Sequence, residues 1–238
     1  MPQQDYVGSE LELFARARHW KAYWGRQIDP FLKGEVLEVG AGLGANTASL
    51  CRPGAHTRWV CLEPDLSMSD TIDTAIAAGS LPAGCVVARG TLQDLPAGST
   101  FDTILYADVL EHIEDDRREL AMAASHLRTS GALVVLSPAH MSLYSPFDRA
   151  IGHFRRYDRR SLSALTPPGL RLVFLRYLDS IGMATSIANR LLLSQALPTA
   201  RQLSFWDRFI VPASRVLDPL LGYRLGRSIL AVWLRTGW

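Results

Sequence analysis

Val36-Leu37-Glu38-Val39 runs directly into Gly40-Ala41-Gly42-Leu43-Gly44. A short apolar run closed by alternating glycines reads as a buried strand and a tight turn, and a helix follows from Ala45. A chain leaving a parallel strand must turn sharply, and a ligand at that turn approaches the backbone closely. Both favour residues without a β-carbon. The spacing departs from the dinucleotide fingerprint G-x-G-x-x-G: here it is Gly40-x-Gly42-x-Gly44, with Asn46 and Thr47 after it. Glu38 also stands beside the turn. A carboxylate there repels a pyrophosphate and suits a ligand that carries an ammonium group.

Outward from this turn the pattern repeats. Arg58–Leu62 reads as a second strand and ends at Glu63-Pro64. An ionised carboxylate only accepts hydrogen bonds, so Glu63 can take both hydroxyl hydrogens of a ribose. A helix over 66–78 stops at Gly79. Cys85–Ala88 and Phe101–Tyr106 read as strands, and Asp115–Leu127 as a helix. Gly131 introduces a fifth strand, Ala132–Leu136. Leu170–Leu178 and Arg227–Leu234 complete a set of seven. Strands alternating with helices predict a mostly parallel, doubly wound α/β sheet with helices on both faces. Upstream, 9–26 has helical periodicity and forms an N-terminal cover within 1–30. Between the last two strands, 179–226 is long for a connection and reads as a helical insertion, with helices at 181–196 and 205–217. The 238 residues contain no linker-like stretch, so one domain is expected: a core at 31–137 and an acceptor-binding part at 138–238.

Four segments together resemble class I S-adenosylmethionine-dependent methyltransferases. Val36–Gly44 resembles their first motif, and Leu62-Glu63-Pro64-Asp65 the acidic ribose motif. Gly90-Thr91-Leu92-Gln93-Asp94-Leu95-Pro96 resembles the segment flanking the adenine. Phe101–His112 resembles the fourth strand and its turn. The resemblance spans roughly residues 30–137 and implies a Rossmann-like fold, S-adenosylmethionine as cofactor and S-adenosylhomocysteine as product. It places Glu38, Gly40, Ala41, Gly42, Gly44 and Asn46 by the methionyl and ribose part, with Glu63 and Pro64 at the ribose. Thr91 and Leu92 would border the adenine, and Tyr106 or Ala107 the sulfonium. Trp20, Tyr23 and Trp24 could cover the cofactor, an aromatic face being favourable to a cation; the plainer reading is that they dock the helix on the sheet.

Acceptors bind beyond the fifth strand in such sheets. There the chain is dense in His, Arg and Tyr. His140 and His153 are the candidate general bases, and Tyr144, Arg155, Arg156 and Tyr157 the candidate acceptor contacts. Arginine offers a fixed fork for carboxylate or phosphate. Asp108, Glu111 and His112 follow the fourth strand. Similar acidic-x-x-Glu-His arrangements accompany a divalent metal in some quinone-pathway O-methyltransferases. No metal is expected here, Glu111-His112 bracing the loop; a hard-ligand site at these three residues is the alternative.

Charge is uneven: residues 1–150 hold 12 Lys/Arg and 19 Asp/Glu, whereas 151–238 hold 13 Arg and 4 Asp. This favours a small-molecule acceptor with an acidic group and an apolar body, methylated on oxygen or nitrogen. Nucleic acid is the runner-up substrate, but the arginines are interleaved with apolar residues rather than clustered, and no nucleic-acid-binding module is evident. A non-catalytic relative that only binds the cofactor ranks last. The basic, apolar C-terminal part also permits a peripheral membrane contact or packing of a homodimer in place of a monomer. No apolar run is long enough for a transmembrane helix, and the polar N-terminus lacks a signal pattern. Three cysteines without metal spacing fit buried thiols, so a cytoplasmic, or membrane-peripheral, enzyme is expected.

Overall fold

The computed structural model describes residues 14–52, 54–192 and 199–236. Its strands are β1 (Gly34–Val39), β2 (His56–Glu63), β3 (Cys85–Arg89), β4 (Phe101–Ala107), β5 (Leu127–Pro138), β6 (Leu170–Leu178) and β7 (Ser228–Arg235). They form one sheet in the order β3-β2-β1-β4-β5-β7-β6. β1 to β5 pair in parallel, and β7 runs antiparallel to both β5 and β6. The doubly wound expectation holds. The chain winds outward from β1 through β2 to β3, then returns to lay β4 on the other side of β1. That reversal opens a crevice at the carboxyl ends of β1 and β4, where ligands bind in such sheets.

The helices are α1 (Arg18–Ile28), α2 (Ala45–Leu50), α3 (Leu66–Ala77), α4 (Asp116–Ser125), α5 (Pro146–Ala150), α6 (Arg159–Ser163), α7 (Ser180–Leu192), α8 (Ala200–Phe205) and α9 (Val211–Leu220). A π turn, Trp206–Ile210, joins α8 to α9. The central strands are covered on both faces, which explains their nearly unbroken apolar runs. Along β1, Val36 packs with Trp24, Trp59 and Trp206 on one face. Leu37 and Val39 pack with Leu120, Tyr157 and Leu162 on the other. Glu38 breaks the run and is nonetheless buried.

Two boundaries differ from the sequence reading. Of the expected N-terminal helix at 9–26, residues 9–13 lie outside the described residues, Phe14 and Ala15 are helical, and after a break at Arg16–Ala17 the helix resumes at Arg18 and runs to Ile28. The side chain of Ala17 cannot cap the helix; Asp207, from the insertion, accepts from the backbone N–H groups of His19 and Trp20 at 3.2 and 2.9 Å. β5 starts at Leu127 rather than Ala132, but the register shifts between Phe101/Leu127 and Thr103/Ala132, so the regular ladder does begin at Ala132. The described residues of the 179–226 insertion are helical as expected, and the end of the expected helix at 181–196 lies outside them from 193 on. Asp218 ties it down by accepting from Tyr23 Oη at 2.7 Å and from the N–H groups of Asp179 and Ser180 at 2.7 and 3.0 Å. Cys51, Cys61 and Cys85 are buried free thiols.

Candidate active site

One cavity of about 1140 Å³ opens at the carboxyl ends of β1 and β4. Pockets for drug-sized ligands run to about 1,000 Å³, so a cofactor and an acceptor fit together. The insertion roofs it with Leu203, Phe205, Trp206 and Ile210, and α1 supplies Trp20, Lys21 and Trp24.

The glycine turn forms one wall. Gly40 and Ala41 donate to the Leu62 carbonyl at 2.8 and 3.2 Å, which fixes the turn against β2. Gly40 has φ +65°, and a β-carbon there would meet Val109 at 2.7 Å. Gly42 has φ +56° but faces open space, a cradle that a β-carbon would fill. Glu63 lines the cavity. Its Oε2 accepts from Gly42 N–H at 2.7 Å and its Oε1 from Asp65 N–H at 3.0 Å. Each oxygen keeps a lone pair for a diol.

Beneath the turn, Glu38 Oε2 accepts from Thr47 Oγ1 at 2.5 Å and Trp59 Nε1 at 2.9 Å. Its Oε1 is buried without a well-formed partner. Burial pushes this carboxyl up to about 7, against the hydrogen bonds from Thr47 and Trp59. Asn46 stands beside it on the cavity wall. Lys21 is a cavity residue that the sequence analysis missed. It donates to the carbonyls of Phe14 and Ala15 at 2.6 and 3.3 Å, and burial pulls its ammonium down to about 8.

Other expected cofactor contacts lie elsewhere. Tyr106 is fully buried on the opposite sheet face, its hydroxyl donating to Glu119 at 2.8 Å; Ala107, one residue on, lines the cavity. Tyr23 is buried against the insertion and donates to Asp218. Glu38, Gly44, Pro64, Thr91 and Leu92 are outside the cavity lining: Glu38 is buried behind the turn, Gly44 faces Leu81 and Ile72, Leu92 is core, and Thr91 N–H and Oγ1 both donate to Asp94 Oδ2, at 2.8 and 2.9 Å.

At the acceptor end, α5 begins with a capping box of Ser145 and Asp148. Asp148 is buried. Arg156 grips it with Nε and Nη2, both at 2.9 Å. His153 Nδ1 lies 3.0 Å from Asp148 Oδ1. Against burial, which raises it, these partners hold the Asp148 carboxyl well below the usual carboxylate range. With Nδ1–H donating to Asp148, His153 Nε2 is left as an acceptor. Tyr144 donates to the His153 carbonyl at 2.6 Å. Tyr144, His153 and Arg156 all line the cavity.

His140 instead stacks on Tyr177 at 4.6 Å, outside the cavity lining. Arg155 and Tyr157 also turn away: Asp116 at the start of α4 takes Arg155 Nη1 at 2.6 Å and Tyr157 Oη at 2.8 Å. They brace the loop. Arg227 lines the cavity unforeseen, with its guanidinium 4.6 Å over the Trp206 ring and Nε 3.5 Å from Asp179 Oδ2.

Glu111, His112 and His153 bring three donor atoms within 4.8 Å of one another. His153 thus takes the place expected for Asp108, whose carboxylate does not join the group. Glu111 Oε2 accepts from Ser137 at 3.0 Å, while its Oε1 is unpartnered, 3.8 Å from His153 Nε2. Burial holds Glu111 well above, and His112, at about 4, well below their usual ranges. First-row metals hold N and O donors at about 2.0–2.2 Å, so the set would have to draw together to bind one.

Residues 12–166 match the family described as a methyltransferase domain. Demethylmenaquinone methyltransferase of Tropheryma whipplei is 30% identical over 150 residues, covering 61% of this chain and 60% of that protein. The chain thus spans less than two thirds of that relative's length. Among solved structures, an S-adenosylmethionine-dependent methyltransferase of Clostridium acetobutylicum superposes with a TM-score of 0.59 at 11% identity, covering 96% of each chain. The cyclase SpnF superposes with a TM-score of 0.62 at 15% identity, covering 100% of this chain and 97% of its own. At such identities these two establish the shared fold.

Proposed function

This chain belongs to the methyltransferase-domain family, and on that premise we propose that it uses S-adenosylmethionine to methylate an oxygen or nitrogen of a small molecule with an apolar body and an acidic group. One structural neighbour with the same fold is a cyclase, so the activity must be argued from the site. The observation that carries the reading is the Gly42 cradle between two carboxylates. Glu63 keeps a lone pair on each oxygen at the cavity, and Glu38 Oε1 is buried beneath the turn beside Asn46 without a well-formed hydrogen bond. S-adenosylmethionine fits this set: its ribose at Glu63, its ammonium toward Glu38 and its carboxylate toward the Lys21 ammonium.

When bound, the cofactor supplies an electrophilic methyl group on a good leaving group. The protein's part is position and proton management. Trp20, Trp24, Leu203 and Trp206 exclude water around the transfer point. Arg156 and Arg227 hold the acceptor's acidic group, and the apolar roof holds its body. For a hydroxyl acceptor, His153 takes the proton at Nε2. Asp148, clamped by Arg156, keeps the ring oriented and stabilises the imidazolium. The relative named as a demethylmenaquinone methyltransferase supports an apolar acceptor.

A second reading is favoured by the convergence of Glu111, His112 and His153: a divalent cation would orient the acceptor oxygen there. Treatment with a chelator separates the two, since a His153 base predicts turnover that chelation leaves unchanged. Acceptor screening by mass spectrometry tests the main proposal. It expects S-adenosylhomocysteine to form in step with a methylated acidic, apolar compound, and cofactor consumption without a methylated product contradicts it.

A further inference from the structure

The outer helix of the insertion is inside out. Its sequence from Ala200 to Leu220 contains two acidic residues, Asp207 and Asp218, and both are buried. Asp207 caps α1 and Asp218 holds Tyr23 and the start of α7. The inward face thus carries the acids, together with Trp206, Val211 and Ser214. The outward face carries Phe205, Phe209, Val216 and Leu220, exposed by 57, 55, 69 and 79%. Spacings of four, seven and four residues keep these side chains on one stripe, and the Phe205 and Phe209 rings lie 5.3 Å apart. Arg201, Arg208 and Arg215 recur at every seventh residue beside the stripe, and Arg224 with the half-exposed Leu225 continues it. All four arginines are exposed. A helix facing water carries its apolar stripe inward and mixed charges outward. This one shows water apolar and cationic side chains, with the neutral Gln202 and Ser204 and no acid among them, a pattern that marks a docking surface.

Charge selects the occupant. A second copy docked on the same stripe would bring two sets of arginines together with no exposed acid on 200–220 to pair them. A surface that is anionic at its face and apolar beneath matches both rows at once. The stripe is also continuous with the cavity: Arg201, Leu203, Phe205, Trp206 and Ile210 line its roof. No helix among the described residues is long and apolar enough to cross a membrane, so the helix would lie in the interface. We propose that α8, the π turn and α9 rest in the headgroup region of an anionic bilayer. Phe205, Phe209, Val216 and Leu220 enter the acyl boundary, and Arg201, Arg208, Arg215 and Arg224 meet the lipid phosphates. An amphipathic acceptor then passes from the bilayer under the roof without crossing water. The docking surface stands on its own; only this route rests on the methyl-transfer reading.

The test is flotation of the full chain with phosphatidylcholine vesicles that contain or lack phosphatidylglycerol, at low and high salt. The wild type is compared with the triple variant Phe209→Ser, Val216→Ser, Leu220→Ser, whose positions are outside the cavity lining. Calorimetric titration with S-adenosylhomocysteine accompanies each sample and reports the cofactor reading separately. The proposal expects the wild type to float with the anionic vesicles only and less at high salt. It expects the variant to partition about tenfold less or weaker. Wild type that stays at the bottom with both vesicle types overturns the proposal, as does a variant that floats equally well. A wild-type dimer that the variant turns into a monomer, with no vesicle binding, assigns the stripe to a second copy and also overturns it.

Discussion

Replacing Glu38 with glutamine keeps the shape of the side chain and an acceptor for Thr47 and Trp59, but removes the charge. The wild-type carboxyl is held at about 7 by burial, so below that pH it is largely neutral. A ligand ammonium beside it requires the ionised form. Cofactor binding then releases one proton below pH 7, and Kd rises about tenfold for each unit of acidification, ~1.4 kcal/mol per unit. Above about 8 the loss of the Lys21 proton adds a falling limb, because the ligand carboxylate prefers the ammonium form. The assay is calorimetric titration with S-adenosylhomocysteine from pH 5 to pH 9, repeated in buffers of different ionisation enthalpy to count protons. The wild type should bind best between pH 7 and pH 8. Glu38→Gln should bind more weakly at the optimum and lose the acidic limb. Its glutamine also removes a linkage in the apo protein. A carboxyl raised from 4.5 to about 7 on folding contributes stability that is complete below pH 4.5 and is lost as pH rises through 7. Glu38→Gln should therefore gain thermal stability relative to wild type across that window. A wild-type affinity that is flat between pH 5 and pH 7, or an acidic limb that survives in the variant, refutes the reasoning.

Glu63→Ala removes charge-assisted contacts worth about 1.5–3 kcal/mol, so the same titration should show affinity falling about tenfold to a hundredfold. Arg156→Leu strands the Asp148 carboxylate inside the protein; thermal unfolding should show a loss of about 3–5 kcal/mol, and an unchanged Tm would contradict the clamp. His153→Gln should lower turnover of a hydroxyl acceptor about 100-fold or more while S-adenosylhomocysteine binding stays intact, and an equal loss of both would remove it from proton transfer. Lys21→Met should erase the alkaline limb of cofactor binding and spare the acidic one.

The cofactor end was legible where its contacts are local. The glycine turn, Glu38 and Glu63 sit at the carboxyl ends of adjacent strands, and the strand pattern alone puts them together. Side-chain parity decides between Tyr106 and Ala107: successive residues of a strand face opposite sides, so only one could reach the cavity, and Ala107 does while Tyr106 goes to the far face. The same divergence splits the loop after α5, where Arg156 turns to Asp148 and Arg155 and Tyr157 turn to Asp116. Nothing in the local sequence marks Asp116 as the partner that draws the last two away. Lys21, Arg227 and Trp206 reach the cavity from the first helix, the start of β7 and the insertion. Such a meeting depends on tertiary packing and has no short-range signature. Asp207, one of only four acids in the final third, is the cap of a helix nearly two hundred residues earlier.

Transfer of label from methyl-tritiated S-adenosylmethionine into fractions of a cell extract tests the central claim most directly, with wild type and Glu63→Ala run side by side. The account predicts that wild type passes the label to a low-mass, organic-soluble compound with an acidic group, and that Glu63→Ala does so far less. Label in nucleic acid, or label that remains on the cofactor in every fraction, would contradict it.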